Sequence, residues 1–380
     1  MAIHWCGTGL SAIPGLRRLI KIGSEIVVWN RTIEKAREAV GDLTNNVHTF
    51  DKNLIEKKLK PGDIVVSMLP GDWHVPLAEL AISKKANFVS SSYIAPEMKR
   101  LDGKAKEAGV ALVNEIGLDP GIDHLMAHKL VEEYRNSNLN TADYDLSFVS
   151  YCGGIPKIPN DFKYKFSWSP LGVLKALKSP SKSIKDYKEL EIDRPWNAIS
   201  SYDAPLTQPE SFEVYPNRDS LPFINQYHFD QKWKIKEFVR GTLRLNGWSK
   251  AWKDIFEEIE TLSGSDGESR LQEMSDQFWK DNSYEEGEHD RVVLCVGLKA
   301  EANNSSIWNK TFVMDAWGDK EGTAMARLVS LPVSYAVEAV LSNKIPHGVS
   351  AATDDLTLIS KWLDQISVVA QNFKLISHNN

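Results

Sequence analysis

Cysteine is almost absent from this sequence. Three residues in 380, Cys6, Cys152 and Cys295, lie far apart and are odd in number. No C-x-x-C pair occurs, which argues against a cysteine zinc site or a disulfide framework and for a reducing, cytoplasmic setting. Long apolar runs are missing too: no uninterrupted stretch approaches the roughly 18 residues that a bilayer-crossing helix needs. A first strand is expected from Ala2, with no targeting segment ahead of it. There is no excess of positive charge. Lys and Arg number 45 against 51 Asp and Glu, a net charge of −6, so neither nucleic acid nor an anionic membrane is expected as the main partner. A small anionic ligand stays compatible with that balance, because a local arginine cluster overrides a modest net charge. H-E-x-x-H is absent, and His124 and His128 stand one helical turn apart with no third ligand evident, so no metal is expected.

What is present is an ordinary globular composition, 42% hydrophobic and 25% charged. At about 150 residues per domain, the length suggests two or three domains. Over the first 130 residues, strand-like and helix-like runs alternate. Strands are expected at Ala2–Cys6, Glu25–Trp29, Val47–Phe50, Asp63–Leu69, Asn87–Tyr93 and Val110–Ile116. Helices are expected at Leu10–Ile22, Thr32–Val40 with Thr32 as N-cap, Val75–Lys84 and Pro96–Ala108. This alternation predicts an α/β fold: a Rossmann-type doubly wound parallel sheet over residues 1–118. From 119 to 324 the pattern becomes α+β, a second, substrate-binding domain. It carries an acidic helical insertion at about 250–285, broken near Ser263–Gly267, and paired strands at Arg291–Lys299 and Lys310–Ala316. Helices at Thr323–Ser342 and Leu356–Asn372 are expected to pack back on the first domain.

The turn after the first strand reads C-G-T-G-L-S-A. Gly7 permits the tight turn, Gly9 lets the backbone approach a pyrophosphate, and Ala12 lets helix and strand pack closely. The helix N-terminus offers free N–H groups to the phosphates. At the end of the second strand stands Asn30-Arg31-Thr32, where NAD-binding folds place an acid for the ribose 2′-hydroxyl. Arg31 would instead attract a 2′-phosphate, with Asn30 and Thr32 assisting, so NADP is the expected cofactor. Ligands bind beyond the carboxyl ends of such strands. That selects Phe50 and Asp51, Met68 and Leu69, and Ser90, Ser91, Ser92 and Tyr93.

The stretch NEIGLDPGIDHL, Asn114 to Leu125, joins a buried strand to an amphipathic helix on that same edge. Asp119-Pro120 reads as a helix start, with Asp as N-cap and Pro first in the helix. A carboxylate there favours its ionised form, which suits Asp119 to holding an ammonium. His128 is expected to be a structural helix residue and His124 to line the cofactor loop.

With these motifs in view, the chain resembles the saccharopine reductase family, the NADP-linked, glutamate-forming saccharopine dehydrogenases. NEIGLDPGIDHL carries the resemblance, and SSYIAPEM, SYCGGIP, YKFSWSPLGVL, YPNRDS and RGTLR follow in family order. Lys157-Ile158-Pro159-Asn160 departs from the family's more usual run after the paired glycines. The resemblance implies a substrate lying between the nucleotide domain and the second domain. It implies that Ser92, Tyr93, Asp119, Arg218, Thr242, Leu243 and Arg244 contact saccharopine. It implies that Thr8, Gly9, Leu10, Ser11, Asn30, Arg31, Thr32, Phe50, Asp51, Met68, Leu69, Leu118, Gly121, Ile122, Asp123 and His124 contact NADP, with Trp168 and Ser169 closing over it. A homodimer is implied by the resemblance alone.

The implied reaction interconverts saccharopine with L-glutamate and 2-aminoadipate 6-semialdehyde by hydride transfer. Its substrate carries three carboxylates around a secondary amine, and guanidinium forks such as Arg218 and Arg244 pair bidentately with carboxylates. Oxidation needs the amine deprotonated. Tyr93 has too high an ordinary pKa for that task and Asp119 too low, Cys152 is a third candidate, and the choice stays open. Two other readings use the same residues: an imine reductase of the carboxynorspermidine type, or a protein that binds NADP without turnover.

Overall fold

Burial on both faces of short β-branched strands drives the first third of the chain into a parallel sheet. The protein is described by a computed structural model covering residues 1–141, 143–303 and 305–378. β1 (Ile3–Cys6), α1 (Ile13–Lys21), β2 (Ile26–Asn30), α2 (Ile33–Val40), β3 (Val47–Thr49) and α3 (Lys52–Lys58) come first. They are followed by β4 (Ile64–Ser67), α4 (His74–Ser83), β5 (Asn87–Ser90), α5 (Pro96–Lys99), α6 (Asp102–Ala108), β6 (Ala111–Val113) and α7 (Ile122–Arg135). The middle holds β7 (Asp145–Pro156), α8 (Pro170–Leu177), β8 (Ser181–Lys185), β9 (Lys188–Ile192), β10 (Ser200–Ala204), β11 (Glu210–Pro216), α9 (Pro222–Gln226) and β12 (Lys234–Leu245). Then come α10 (Trp248–Ala251), α11 (Lys253–Thr261), α12 (Gly264–Asn282), β13 (Asp290–Ala302) and β14 (Ser305–Trp317). The last elements are α13 (Ala324–Leu341), β15 (Gly348–Ser350), α14 (Leu356–Ser367) and β16 (Asn372–Ser377). The chain divides into two compact units, Met1–Leu125 with Lys320–Ile366, and Met126–Asp319 with Ser367–Asn380.

The first unit is the expected Rossmann-type sheet, in the order β15-β6-β5-β4-β1-β2-β3, with every pair parallel. The strand order reverses between β1 and β4, which opens the ligand crevice beyond their carboxyl ends. Several elements differ from the sequence expectation. The helix expected over Pro96–Ala108 is two, α5 and α6, and the break lets Met98 and Leu101 enter one core cluster with Leu80 and Ala81. Helix α3 gave no sequence signal because it buries only Ile55. β15, also unexpected, is three residues long and adds an edge strand beside β6.

Helix α13 packs on α1, and Gly15 is where they meet. A Cβ there would lie 2.0 Å from the Ser330 carbonyl oxygen, and the Gly15 N–H donates to Ser330 Oγ at 2.8 Å. Gly15→Ala is therefore expected to destabilise the fold by about 1–3 kcal/mol through overpacking, read as a lower urea midpoint. α13 has mean hydropathy 1.4 over 18 residues, enough by length and composition to cross a bilayer, yet 78% of it is buried inside the protein. Arg327 and Glu338 interrupt its apolar run.

The second unit is built on a mixed sheet in the order β10-β11-β12-β7-β13-β14-β16, with β8 joined to β12 and β9 to β8. Only β12 and β7 pair in parallel; the remaining pairs are antiparallel. The acidic helices α11 and α12 turn Phe256, Ile259, Leu271 and Met274 onto an aromatic cluster of Tyr164, Phe166, Trp248 and Trp252, leaving their charges outside. The C-terminal helix expected to reach Asn372 ends at Ser367. Asn372–Ser377 is instead a strand paired with β14, so the tail, expected as a whole with the first domain, divides between the units.

Candidate active site

The glycine loop of the first unit has the geometry its sequence demands. Gly7 has φ +104, and a Cβ there would stand 2.7 Å from the Met68 carbonyl oxygen. Around Gly9 no atom lies within 4 Å of where a Cβ would be, leaving open the approach that a pyrophosphate needs. Ala12 is buried at the start of α1. Thr8 Oγ1 is buried without a hydrogen-bond partner, a cost that a ligand phosphate or hydroxyl would relieve. Leu10 is exposed and Ser11 half-buried.

Asn30 ties this loop to the next. Its Oδ1 accepts from Thr8 N at 3.2 Å and its Nδ2 donates to the Thr32 carbonyl at 2.8 Å. Thr32 occupies the expected cap position of α2, but its hydroxyl makes no capping bond and stays available. Arg31 is exposed, with no hydrogen bond or ion pair among the described residues. Asp51 spends Oδ1 on capping α3, accepting from Asn53 N at 2.7 Å and Leu54 N at 3.3 Å. Phe50 meets Trp73 edge-on, centroids 4.8 Å apart. Sequence reading passed over Trp73, since a lone tryptophan after a Pro-Gly turn carries no pattern. Leu69 leans on the core beside α4. An orphaned hydroxyl, an open glycine, a positive strand tip and an aromatic wall together fit a phosphorylated dinucleotide such as NADP.

Beyond β5, Ser90 is fully buried, and its Oγ accepts from Ser92 N at 3.1 Å, so its hydroxyl shapes the turn from within. Ser91 is half-buried beside Gly117. Ser92 Oγ lies 2.8 Å from His74 Nε2, and His74 Nδ1 lies 2.9 Å from Ser67 Oγ. The Tyr93 hydroxyl donates to Asp119 Oδ1 at 3.1 Å, which links two of the candidate catalytic groups.

The Asp119-Pro120 junction is not a helix start. The peptide bond is cis, and the helix begins at Ile122. Gly121, at φ +147, brings a would-be Cβ within 2.1 Å of the Gly117 oxygen. The Gly121 N–H donates to Asp123 Oδ1 at 2.7 Å, and Gly117 N to the Pro120 carbonyl at 2.8 Å. Leu118 and Ile122 are buried. His124, expected along the cofactor loop, is wholly buried. Its Nε2 is 3.1 Å from Glu115 Oε2 and its Nδ1 is 3.4 Å from Asp123 Oδ2. Ring and carboxylates thus hold one another inside the turn. Glu115 Oε1 also accepts from Ile94 N at 2.9 Å, and Glu115 N donates to the Ser92 carbonyl at 3.0 Å. Glu115 therefore clamps both ends of Ser92-Tyr93-Ile94, from a left-handed backbone with φ +53. His128 is buried, its ring 5.5 Å from Tyr227 and 5.5 Å from His228, which fits its expected structural part.

In the second unit, alternation along β12 sorts the RGTLR residues. Thr242 and Arg244 share one face. Leu243 points the other way into the cluster of Tyr151, Val239 and Val293, so its side chain is not beside theirs and only its backbone borders the Arg244 face. Arg244 is 5% exposed. Its guanidinium lies 4.8 Å from the Tyr164 ring centre, 5.4 Å from Trp248 and 5.7 Å from Tyr215. Its Nε is buried with no partner, and no carboxylate pairs with it among the described residues. Desolvation pushes the pKa of the Tyr215 phenol up, with Arg244 opposing. Trp168 Nε1 donates to the Tyr164 hydroxyl at 3.2 Å, and Ser169 caps α8 by accepting from Gly172 N at 3.2 Å. Arg218 is exposed on the turn after β11, with φ +59. Cys152 is buried on β7 and in register with Thr242. The aromatic cage was missed in the sequence because Tyr164, Tyr215 and Trp248 lie on three separate segments. No group of three or more His, Cys, Asp or Glu stands close enough to hold a metal among the described residues.

The fold and the glycine loop define a dinucleotide-binding protein with a second, mixed-sheet domain. Residues 7–113 match the saccharopine dehydrogenase NADP binding domain and residues 117–367 match the saccharopine dehydrogenase C-terminal domain. The chain belongs to the saccharopine dehydrogenase family of NAD(P)-dependent oxidoreductases. It is 28% identical to saccharopine dehydrogenase (NADP+, L-glutamate-forming) of Pyricularia oryzae, over 89% of this chain and 90% of that one. It is 26% identical to the enzyme of the same name from Schizosaccharomyces pombe, over 95% of each. The apo, histidine-tagged L-Glu-forming saccharopine dehydrogenase of Saccharomyces cerevisiae superposes with a TM-score of 0.80, at 26% identity and 99% coverage of both chains.

Proposed function

We propose that the protein is an NADP-dependent saccharopine dehydrogenase, interconverting saccharopine with L-glutamate and 2-aminoadipate 6-semialdehyde. The observation that carries this reading is Arg244. A guanidinium cannot shed its proton, and burying it without a counter-charge is costly. Three aromatic faces offset part of that cost, and a substrate carboxylate would meet the rest through a bidentate pair. In the second unit Thr242 and Arg218 are proposed to assist Arg244; in the first, Ser92, Tyr93 and Asp119 are proposed as substrate contacts. The nicotinamide supplies the hydride acceptor and donor. The chain's own residues bind and orient the substrate, and the Tyr93–Asp119 pair is proposed to hold the amine nitrogen and its proton. In the oxidative direction, the carbon–hydrogen bond beside the secondary amine is broken, an imine forms, and water splits it into amino acid and aldehyde.

The test is NADP+ reduction with saccharopine, and NADPH consumption with glutamate plus aminoadipate semialdehyde, against other amine–aldehyde pairs. Turnover confined to a different pair would overturn the substrate assignment. The cofactor assignment is separable. Arg31→Glu is expected to weaken NADPH binding on the order of 100-fold, since it removes charge-assisted bonds and adds repulsion. NADH binding should change little. Equal losses for both nucleotides would remove Arg31 from the 2′-phosphate site. All three cysteines are buried; the cytoplasmic setting is proposed from their scarcity alone.

A further inference from the structure

One polar chain at the ligand edge of the first sheet is left unexplained by cofactor binding. Ser67, at the carboxyl end of β4, is wholly buried, and its hydroxyl has no partner but His74 Nδ1, 2.9 Å away, among the described residues. His74 opens α4, is itself 7% exposed, and packs edge-on to Phe88. Its Nε2 lies 2.8 Å from the hydroxyl of Ser92, which is half-buried. Burial drives the His74 pKa down to about 4 against the weaker opposing pull of Asp72, so the ring is neutral in any ordinary buffer. A neutral imidazole has one donor nitrogen and one acceptor nitrogen.

Ser67 decides which is which. Were Nδ1 protonated, it would donate to Ser67 Oγ, and the Ser67 proton would be buried with nowhere to go. With Nδ1 bare, Ser67 donates to it and is satisfied. The proton then sits on Nε2 and is donated to Ser92 Oγ, so the Ser92 hydroxyl cannot give its own proton to His74 and must direct it elsewhere.

We propose that the Ser67–His74–Ser92 relay makes His74 a positioning residue that fixes Ser92 as a hydrogen-bond donor, selecting a carboxylate of the substrate over its ammonium. This rests on the reading of Ser92 as a substrate contact and deepens it. An uncoupled serine hydroxyl rotates and serves either charge; one held by an Nε2–H keeps its proton for an acceptor and has one lone pair fewer to offer an ammonium.

Nitrogen-15 NMR of histidine-labelled protein tests the relay without any turnover. His74 is expected in the Nε2–H form, unchanged between pH 6 and about 9; an Nδ1–H form overturns the proposal. Kinetics test its use. His74→Ala is expected to raise KM for saccharopine about tenfold, the loss of one charge-assisted bond. The kcat and the NADP+ Kd should stay within about twofold. His74→Gln, whose amide can donate where Nε2 did, should recover most of the loss. In a Ser92→Ala background, His74→Ala should add almost nothing. Additive losses, or an unchanged KM in a protein that does oxidise saccharopine, overturn the proposal. Wild-type protein inert toward saccharopine would defeat the functional reading instead, and the tautomer alone would then decide the relay.

Discussion

Arg244→Met is expected to lower kcat/KM for saccharopine roughly 10²–10³-fold, because truncating one partner of a buried, hydrogen-bonded charge pair costs about 2–5 kcal/mol. The unliganded protein should lose no stability and should gain some. The guanidinium is 5% exposed, with an orphaned Nε and no carboxylate against it. Methionine fills similar volume, keeps contact with Tyr164, Tyr215 and Trp248, and needs no counter-charge. Thermal melting separates the two effects. Saturating saccharopine should raise the midpoint of the wild type and leave that of the variant unmoved. A variant that melts lower without ligand and keeps its KM would show Arg244 to be a structural cation.

The second large effect belongs to Glu115. Its carboxylate accepts from Ile94 N and meets His124 Nε2 at 2.9 and 3.1 Å. Glu115→Ala would remove an acceptor from the half-buried Ile94 N–H and the carboxylate beside the buried His124 Nε2, an expected loss of about 3–5 kcal/mol. Glu115→Gln keeps an acceptor for Ile94 and should lose about 1–2 kcal/mol. Because the same carboxylate holds the segment bearing Ser92 and Tyr93, kcat/KM should fall in parallel with stability across the two variants. Urea unfolding and steady-state rates measured on the same preparations check this. Full activity in a strongly destabilised variant would show that the loop holds its shape without the clamp.

The residues that were legible in advance are those whose chemistry is local. Gly7, Gly9 and Ala12 announce their loop by spacing, and the buried runs of β1 and β4 announce parallel strands by composition. The exposed tip of the second strand, with Arg31 where an acid could stand, is likewise local. What escaped depends on distant pairing. Glu115 looks like any strand-end acid until it is seen spanning Ile94 and His124. His74 carries no motif, and its neighbours are 7 and 18 residues away. Asp119-Pro120 misled because the same dipeptide serves a helix cap and a reversed turn equally well. Leu243, implied with Arg244 by the resemblance, sends its side chain to the opposite face of the strand. The C-terminal strand failed for a further reason: Asn372–Ser377 is mostly half-exposed, so its apolar residues show no buried face to read.

The contact between Gly15 and Ser330 spans 315 residues, and β15 completes the edge of the first sheet from residues 348–350. A ribosome therefore releases the glycine loop long before the partner of its helix exists. Until the chain passes residue 341, α1 exposes the groove that α13 will fill, and the nucleotide pocket is born on an unfinished support. Long-range closure of this kind slows folding. It leaves the apolar face of α1 exposed in the nascent first third while the intervening sheet assembles, a state prone to aggregation.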